Sequence, residues 1–322
     1  MSTGPVNPIT LERPPLSDTL RKHSPVIMLG TLLLINAIFT SNFFTIDIVW
    51  LIIIQCATII LTGMGQTMVI ATGGIDISIG SQMALAAVVC AHMLPYGILP
   101  AVIAAILACA VMGLISGFMV GKLHVSPMVV TLSMLLFARG VAQVINDGRI
   151  LYIDQYKNFE FLGQGKILGE LPMQIIPIVL VVALVYFIIE KTAWGRRIQA
   201  VGDNPTAARL TGINATGTVI SAYVLSAMFA AMAGLVLVSK VGAADGSNMG
   251  RLAELDAIAA VAVGGTSMAG GRAKVMGTLL GAIVMQLITI TVVMNNIQYE
   301  YAQILKSAII IFAVFIQRES RA

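Results

Sequence analysis

The chain has 322 residues, 58% of them apolar and only 11% charged, with a formal net charge of +4. Ordinary soluble domains are roughly a quarter charged, and a water-soluble globule must cover itself with polar groups that this composition does not supply. The cations stand at the ends of apolar runs rather than in a patch, which excludes a nucleic-acid partner and points to loops held on one side of a lipid bilayer.

Residues 1–24 carry Pro5, Pro8, Pro14, Pro15 and several charges and read as a cytoplasmic tail. No small-residue cleavage site follows the first apolar run, so that run is expected to remain as an anchor. Ten membrane-spanning helices are predicted, at about 25–40, 48–72, 79–94, 98–120, 127–146, 172–190, 215–239, 256–270, 274–293 and 302–317. Between Ile48 and Gly121 the one formal charge is Asp76, in a stretch long enough to cross a ~30 Å hydrocarbon core about three times. Val102–Val120 is apolar but for Ser116, without the alternation of barrel strands. The fold class is therefore all-α and polytopic.

Arg13, Arg21 and Lys22 precede the first span, and Arg318 and Arg321 follow the last. The excess of Lys and Arg on cytoplasmic loops puts both termini in the cytoplasm, which demands an even number of crossings. With ten, Lys122, the cluster Lys191, Arg196, Arg197 and Arg209, and the pair Arg272 and Lys274 also fall inside. Asp147–Glu170, Lys240 and Arg251 fall outside, mixed with acids. Residues 25–317 thus form one transmembrane domain, and 318–322 a second tail.

Three glycine clusters interrupt the pattern: Thr62-Gly-Met-Gly-Gln-Thr67, Gly73-Gly-Ile-Asp-Ile-Ser-Ile-Gly80 and Gly264-Gly-Thr-Ser-Met-Ala-Gly-Gly271. Glycine weakens a helix, so such clusters mark turns, close helix contacts or broken helices. Tight cytoplasmic hairpins and broken helices beside a transport path both fit. Cys56, Cys90 and Cys109 lie inside apolar spans and read as small buried hydrophobes. His23, His92 and His124 show no paired-ligand spacing, so no metal site is assigned. Neither Gly121-Lys122-Leu123 nor Gly165-Lys166-Ile167 has the hydroxyl a phosphate loop needs after its lysine, and no catalytic template occurs. Any ATP chemistry belongs to another chain, which would hold the ATP and magnesium.

The longest polar inside loop runs from Lys191 to Asn214. Within it Asn204 can cap a short helix, with Pro205 at the first helical position and Gly212 ending it. Together with Gly73–Gly80, Glu254–Val261 and Gly264–Gly271, this loop closely resembles the ribose-type permease family of ABC sugar importers, in order from about Asn42 to Phe315. Ile70–Gly74 and Arg139–Arg149 look most like a galactofuranose permease subunit. The resemblance implies a permease fold like that of the vitamin B12 importer, seated in a bacterial inner membrane. It implies a second permease subunit, a cytoplasmic ABC ATPase and a periplasmic sugar-binding protein as partners. By the same resemblance Gly202, Asp203, Asn204, Ala207, Ala208 and Gly212 match the segment that couples to the ATPase. The rival readings are a related permease for branched-chain amino acids or a signalling furanone, an ion-coupled secondary transporter, and an intramembrane enzyme.

A sugar path wants hydroxyl-matching groups in a mostly apolar wall, and Gln66, Thr67, Ser81, Gln82, Gln143, Tyr223 and Gln286 are the candidates, with interhelical hydrogen bonding as the plainer use of each. Charges inside a membrane usually face protein or water. Arg139 sits about twelve residues into the fifth span, roughly 18 Å deep. Asp76 either caps the next helix or, if its glycine-rich segment folds back into the membrane, pairs with Arg139. Lys306, a turn inside the tenth span, is expected to snorkel to the interface.

Overall fold

The computed structural model describes residues 16–317. Most of the tail expected at 1–24, all of that at 318–322, and with them Arg13, Arg318 and Arg321, lie outside the described residues. The helices in chain order are α1 (Leu16–Phe39), α2 (Ile46–Ala71), α3 (Ile79–Met93), α4 (Ile98–Gly121) and α5 (Pro127–Ile145). There follow α6 (Lys157–Gln164), α7 (Ile175–Lys191), α8 (Ala193–Asp203), α9 (Pro205–Leu210), α10 (Ala215–Val241), α11 (Ala253–Val263), α12 (Val275–Met294) and α13 (Tyr299–Gln317). Among the described residues four short strands complete the set: β1 (Ile150–Tyr152), β2 (Lys166–Ile167), β3 (Leu171–Pro172) and β4 (Ala243–Asp245).

Every predicted span falls on a helix, and the first helix begins earlier than expected, at Leu16. Among the described residues six helices, α2, α3 (extended by the turn to Tyr96), α4, α5, α10 and α12, are long and apolar enough to cross a bilayer on their own. A seventh crossing forms if α7 and α8 count together, although they bend by 71° at Thr192. The chain is a multi-pass α-helical membrane protein. The eighth predicted span is shorter than expected, because α11 stops at Val263 rather than 270. Gly264 follows, and Gly265 with φ +79° turns the chain away. At 1.5 Å per residue its 11 residues cover about half the hydrocarbon core.

The long α10 is the central pillar, and its run of Ala, Gly and Ser lets neighbours come close. α4 lies against it through Gly113, where a Cβ would stand 2.6 Å from that of Ala227. Of the readings open to Thr62–Thr67, a turn, a close helix contact or a break, the contact is found: α2 runs unbroken for 26 residues. Gly65 serves that contact, its missing Cβ leaving room for the Ser226 backbone. The break at Gly73–Gly80 is real. Residues 72–78 carry no regular structure yet sit largely inside the protein, the one setting in which irregular backbone is tolerated at membrane depth.

At one end of the bundle β1 pairs antiparallel with β4, Leu151 opposite Ala244. The sequence pattern showed only a mixed-sign loop here. The ribbon joins the segment after α5 to the segment after α10, so those two helices end together. A β2–β3 hairpin, turned at Leu168 and Gly169 with positive φ, precedes α7 and touches α2 through β3.

Candidate transport pathway

A polar stripe runs down α2. Gln55, Thr58, Thr62 and Gln66 are spaced three, four and four apart, which puts them on one face of a helix. The first three line a cavity of ≈ 480 Å³ at the ribbon end of the bundle, within the range of small-molecule sites. α10 contributes Leu237, Lys240 and Val241, the segment after β4 contributes Asn248 and Arg251, α11 contributes Asp256, and α12 contributes Gln286. Lys240 Nζ donates to Gln55 Oε1 at 2.5 Å, joining α10 to α2 across the wall. Asp256 accepts from Lys306 Nζ at 2.9 and 3.1 Å. The lysine is 6% exposed. Lys306 therefore does not snorkel; α11 offers it a carboxylate, and pairing costs less than leaving either charge alone in the wall.

One turn below Thr62 the stripe passes into a closed polar cluster. The Gln66 carboxamide, in the orientation that suits its surroundings, donates to the Asp76 carbonyl at 3.3 Å and accepts from the Asp76 N–H at 3.2 Å. It thereby completes the backbone hydrogen bonding that residues 72–78 lack for want of a helix. Asp76 Oδ1 accepts from the Ser78 N–H at 2.9 Å and the Ser78 hydroxyl at 2.5 Å, and Gln82 Nε2 donates to that hydroxyl oxygen at 2.7 Å. Asp76, Gln82 and Tyr223 are fully buried and Ser226 is 1% exposed. Ser81 Oγ, Gln82 Oε1 and Tyr223 OH are nonetheless without a hydrogen-bond partner, and Asp76 Oδ2 and Ser226 Oγ have none beyond the approach of Ser226 to the Asp76 carboxylate. Ser226 faces the Asp76 carboxylate from α10, and a Cβ on Gly74 would stand 2.5 Å from Tyr223 OH. Each buried group left unbonded costs about 1–3 kcal/mol, so the cluster is expensive as it stands.

The far end of the bundle is closed by glycines. The Gly271 N–H donates to the Ala71 carbonyl, the last of α2, at 3.1 Å. A side chain on Gly202, at the end of α8, would collide with that same carbonyl, and one on Gly270 would press on Gly202 and Gly73. Gly270 and Gly271 have φ of +92° and +78°, a region that L side chains avoid. Two of the sequence's glycine clusters thus meet the polar inside loop at one backbone junction. In that loop Asn204 caps α9 as expected, its Oδ1 accepting from the N–H groups of Thr206 and Ala207 at 3.0 Å each, and Gly212 ends it at φ +83°. Ala208 is buried against Val201 and Ala215, whereas Ala207 is exposed and Leu210 is 86% exposed. Arg209 meets His124 at 2.9 Å, tying α9 to the α4–α5 loop.

The remaining candidates fall elsewhere. Thr67 bonds Thr278 at 2.7 Å and joins α2 to α12. Arg139 does not meet Asp76: its Nη1 donates to the carbonyls of Gly246 and Met249, at 3.3 and 2.7 Å. The loop after β4 reaches down to α5 and supplies them, so the guanidinium finds acceptors without a carboxylate. Gln143, one turn on and exposed, reaches Ser247 in the same loop at 3.4 Å. Asp245 closes that loop. Burial pulls its carboxyl upward, but the Asn248 side chain, the N–H groups of Ser247 and Asn248, and nearby Arg139 hold it below the usual carboxylate range. Of the candidates, Gln286 alone lines the open cavity, while Gln66, Asp76, Ser81, Gln82 and Tyr223 belong to the closed part of the core. Gln55, Thr58, Lys240 and Asp256 line the cavity without having been path candidates, although Gln55, Thr58 and Thr62 stood in the sequence at helical spacing ahead of Gln66.

Residues 48–314 match the family described as branched-chain amino acid transport system / permease component. A galactofuranose transporter permease protein of Escherichia coli is 36% identical over 82% of this chain and 78% of its own. A ribose import permease protein of the same organism is 34% identical over 94% and 95%, and a fructose import permease protein of Rhizobium meliloti is 33% identical over 91% and 84%. No solved structure matches.

Proposed function

The chain belongs to this permease family of ABC importers, and on that premise we propose that it is the translocation subunit of an ATP-driven importer for a monosaccharide, a pentose or a hexose. The observation that carries the reading is the ≈ 480 Å³ cavity at the ribbon end. Its wall of amide, hydroxyl and charged groups, with Lys240 held by Gln55 and Asp256 by Lys306, suits a polyhydroxyl cargo that needs many weak hydrogen bonds. The family's description names branched-chain amino acids, which keeps that cargo as the second reading. The sugar permeases matched along most of their length favour the first.

In this reading the ribbon end faces the periplasm and receives sugar from a binding protein. The α8–α9 end faces the cytoplasm of a bacterial cell, as both termini do, and docks an ABC ATPase that binds ATP and magnesium. A second permease subunit completes the path. α9 is capped, exposed and tipped by Leu210, which supports its use as the docking knob. Residues 25–317 act as one transmembrane unit, with 191–214 as its coupling segment.

Uptake into proteoliposomes holding permease, ATPase and binding protein tests the proposal. Labelled ribose, galactose in its furanose and pyranose forms, fructose and leucine are offered in turn. ATP-dependent sugar uptake that survives collapse of the proton gradient is expected. Uptake of leucine alone, or sugar uptake driven by a pH gradient without the ATPase, would sink it.

A further inference from the structure

We propose that the closed cluster around Asp76 is a second, inner sugar-binding station, whose unbonded oxygens are taken up by sugar hydroxyls when the α8–α9 end opens. The proposal rests on the sugar-import reading. Its starting point is the gathering of Gln82, Tyr223 and Ser226 about the buried Asp76 carboxylate: Ser226 reaches it from α10, Gln82 meets it through Ser78, and Tyr223 lies within range of its charge. Tyr223 OH and Gln82 Oε1 are buried there without a partner. Buried polar atoms are nearly always bonded, so a group of them in one place marks a position that something else completes.

The donor set suits a polyol. A carboxylate and an amide oxygen accept only, while the two hydroxyls both donate and accept, and a sugar hydroxyl matches either kind. The cluster also lies on the line of travel. Thr62 lines the open cavity, and Gln66, one turn further along the same face of α2, holds the backbone of Asp76. Its floor is the junction of Ala71, Gly73, Gly202, Gly270 and Gly271, where backbone meets backbone. A joint without side chains can slide, and displacement of α8 by an attached motor would carry the end of α2 and the Gly73–Gly74 turn with it. Gly74 lies directly under Tyr223 OH, so that movement uncovers the cluster from below.

The test uses the complete complex in proteoliposomes, with the buried native cysteines removed (C56A, C90A, C109S) and either Thr58→Cys or Ser226→Cys introduced. A small membrane-impermeant thiol reagent is supplied on both faces. Thr58→Cys, in the open cavity, should react at rest. Ser226→Cys should be protected at rest and react about ten-fold faster when ATP and sugar are supplied, as when a minor state becomes a principal one. Tyr223→Phe, which removes one hydroxyl and little volume, should raise the KM for uptake about 2- to 10-fold, the worth of one neutral hydrogen bond, at normal permease yield. Turnover-dependent labelling with a raised KM supports the station. Labelling of Ser226→Cys that is equal in both conditions, or absent while uptake continues, overturns it, as does an unchanged KM in Tyr223→Phe. Failure of the parent complex to take up any sugar sinks the function itself, and the station with it.

Discussion

Two short interruptions lie near the same end of this bundle, and their polar groups are satisfied in opposite ways. The segment 191–214 caps its helix ends within a few residues, and reaches further through Trp194 to Ser221 and Arg209 to His124. Thr192 accepts from the Gly195 N–H, Asn204 from those of Thr206 and Ala207, and Asn214 from that of Gly217. Water can complete the rest, since much of the segment is exposed. The segment 72–78 has no such recourse. Thr72, Gly73 and Gly74 bond back to the last turn of α2. From Ile75 onward, however, the segment depends on Thr131 of α5 and Gln66 of α2 as well as on Ser78, and it faces Tyr223 and Ser226 of α10, where buried oxygens are left unbonded. A motif at a wet surface can be complete on local chemistry alone. A motif in a core is complete only with partners from other elements, or with a ligand.

The largest effect is expected at Gly202, where α8 meets the end of α2. Gly202→Val should cost about 3 kcal/mol, the upper end for forcing atoms into a packed site, and should lower both folded yield and the unfolding temperature in detergent. A variant that unfolds like the parent would mean that the junction is loose. A smaller loss is expected inside the cluster: Gly74→Ala places a methyl against Tyr223 OH and should cost about 1–2 kcal/mol. Adding Tyr223→Phe should restore much of that loss, and strictly additive losses would show that the two positions do not meet. On the wet side the effects shrink. Asn204→Ala removes one cap and should cost about 1 kcal/mol, confined to the α9 segment and seen as faster amide exchange there rather than across α2. Leu210→Asp should shift stability by no more than about 0.5 kcal/mol, yet weaken co-purification with the ATPase. Undiminished co-purification would remove α9 from the docking surface. Ala208, buried behind it, is the wrong residue for that test; exposed Ala207 is a suitable second one.

The same contrast explains what could be read in the sequence. Asn204, Pro205 and Gly212 carry their structural meaning in their own spacing, and apolar runs announce helices, so the helical order and the cap were legible. The stripe Gln55–Thr58–Thr62–Gln66 was legible in principle, through its helical period, but a list of single polar residues picks out Gln66 and passes over the rest. Nothing local to Arg139 names Gly246 and Met249 as its acceptors, and nothing near Lys306 names Asp256, fifty residues away. These pairings arise from how loops and helices meet. The length of α11 was obscured because Gly264–Gly271 follows an apolar run with no change in hydropathy sharp enough to date its end.

The β1–β4 ribbon has a mechanical consequence. With Leu151 opposite Ala244, and Arg139 and Gln143 both bonded to the same loop, α5 and α10 are strapped together at one end and free to diverge only at the other. Such a pair behaves as a pair of tongs with its rivet at the ribbon: a small angular change there becomes a larger displacement near Gly202. A disulfide introduced between Leu151→Cys and Ala244→Cys should therefore leave uptake intact, because it only tightens the rivet. Arrest of uptake on oxidation of that pair, reversed by reductant, would show instead that the tongs open at the other end.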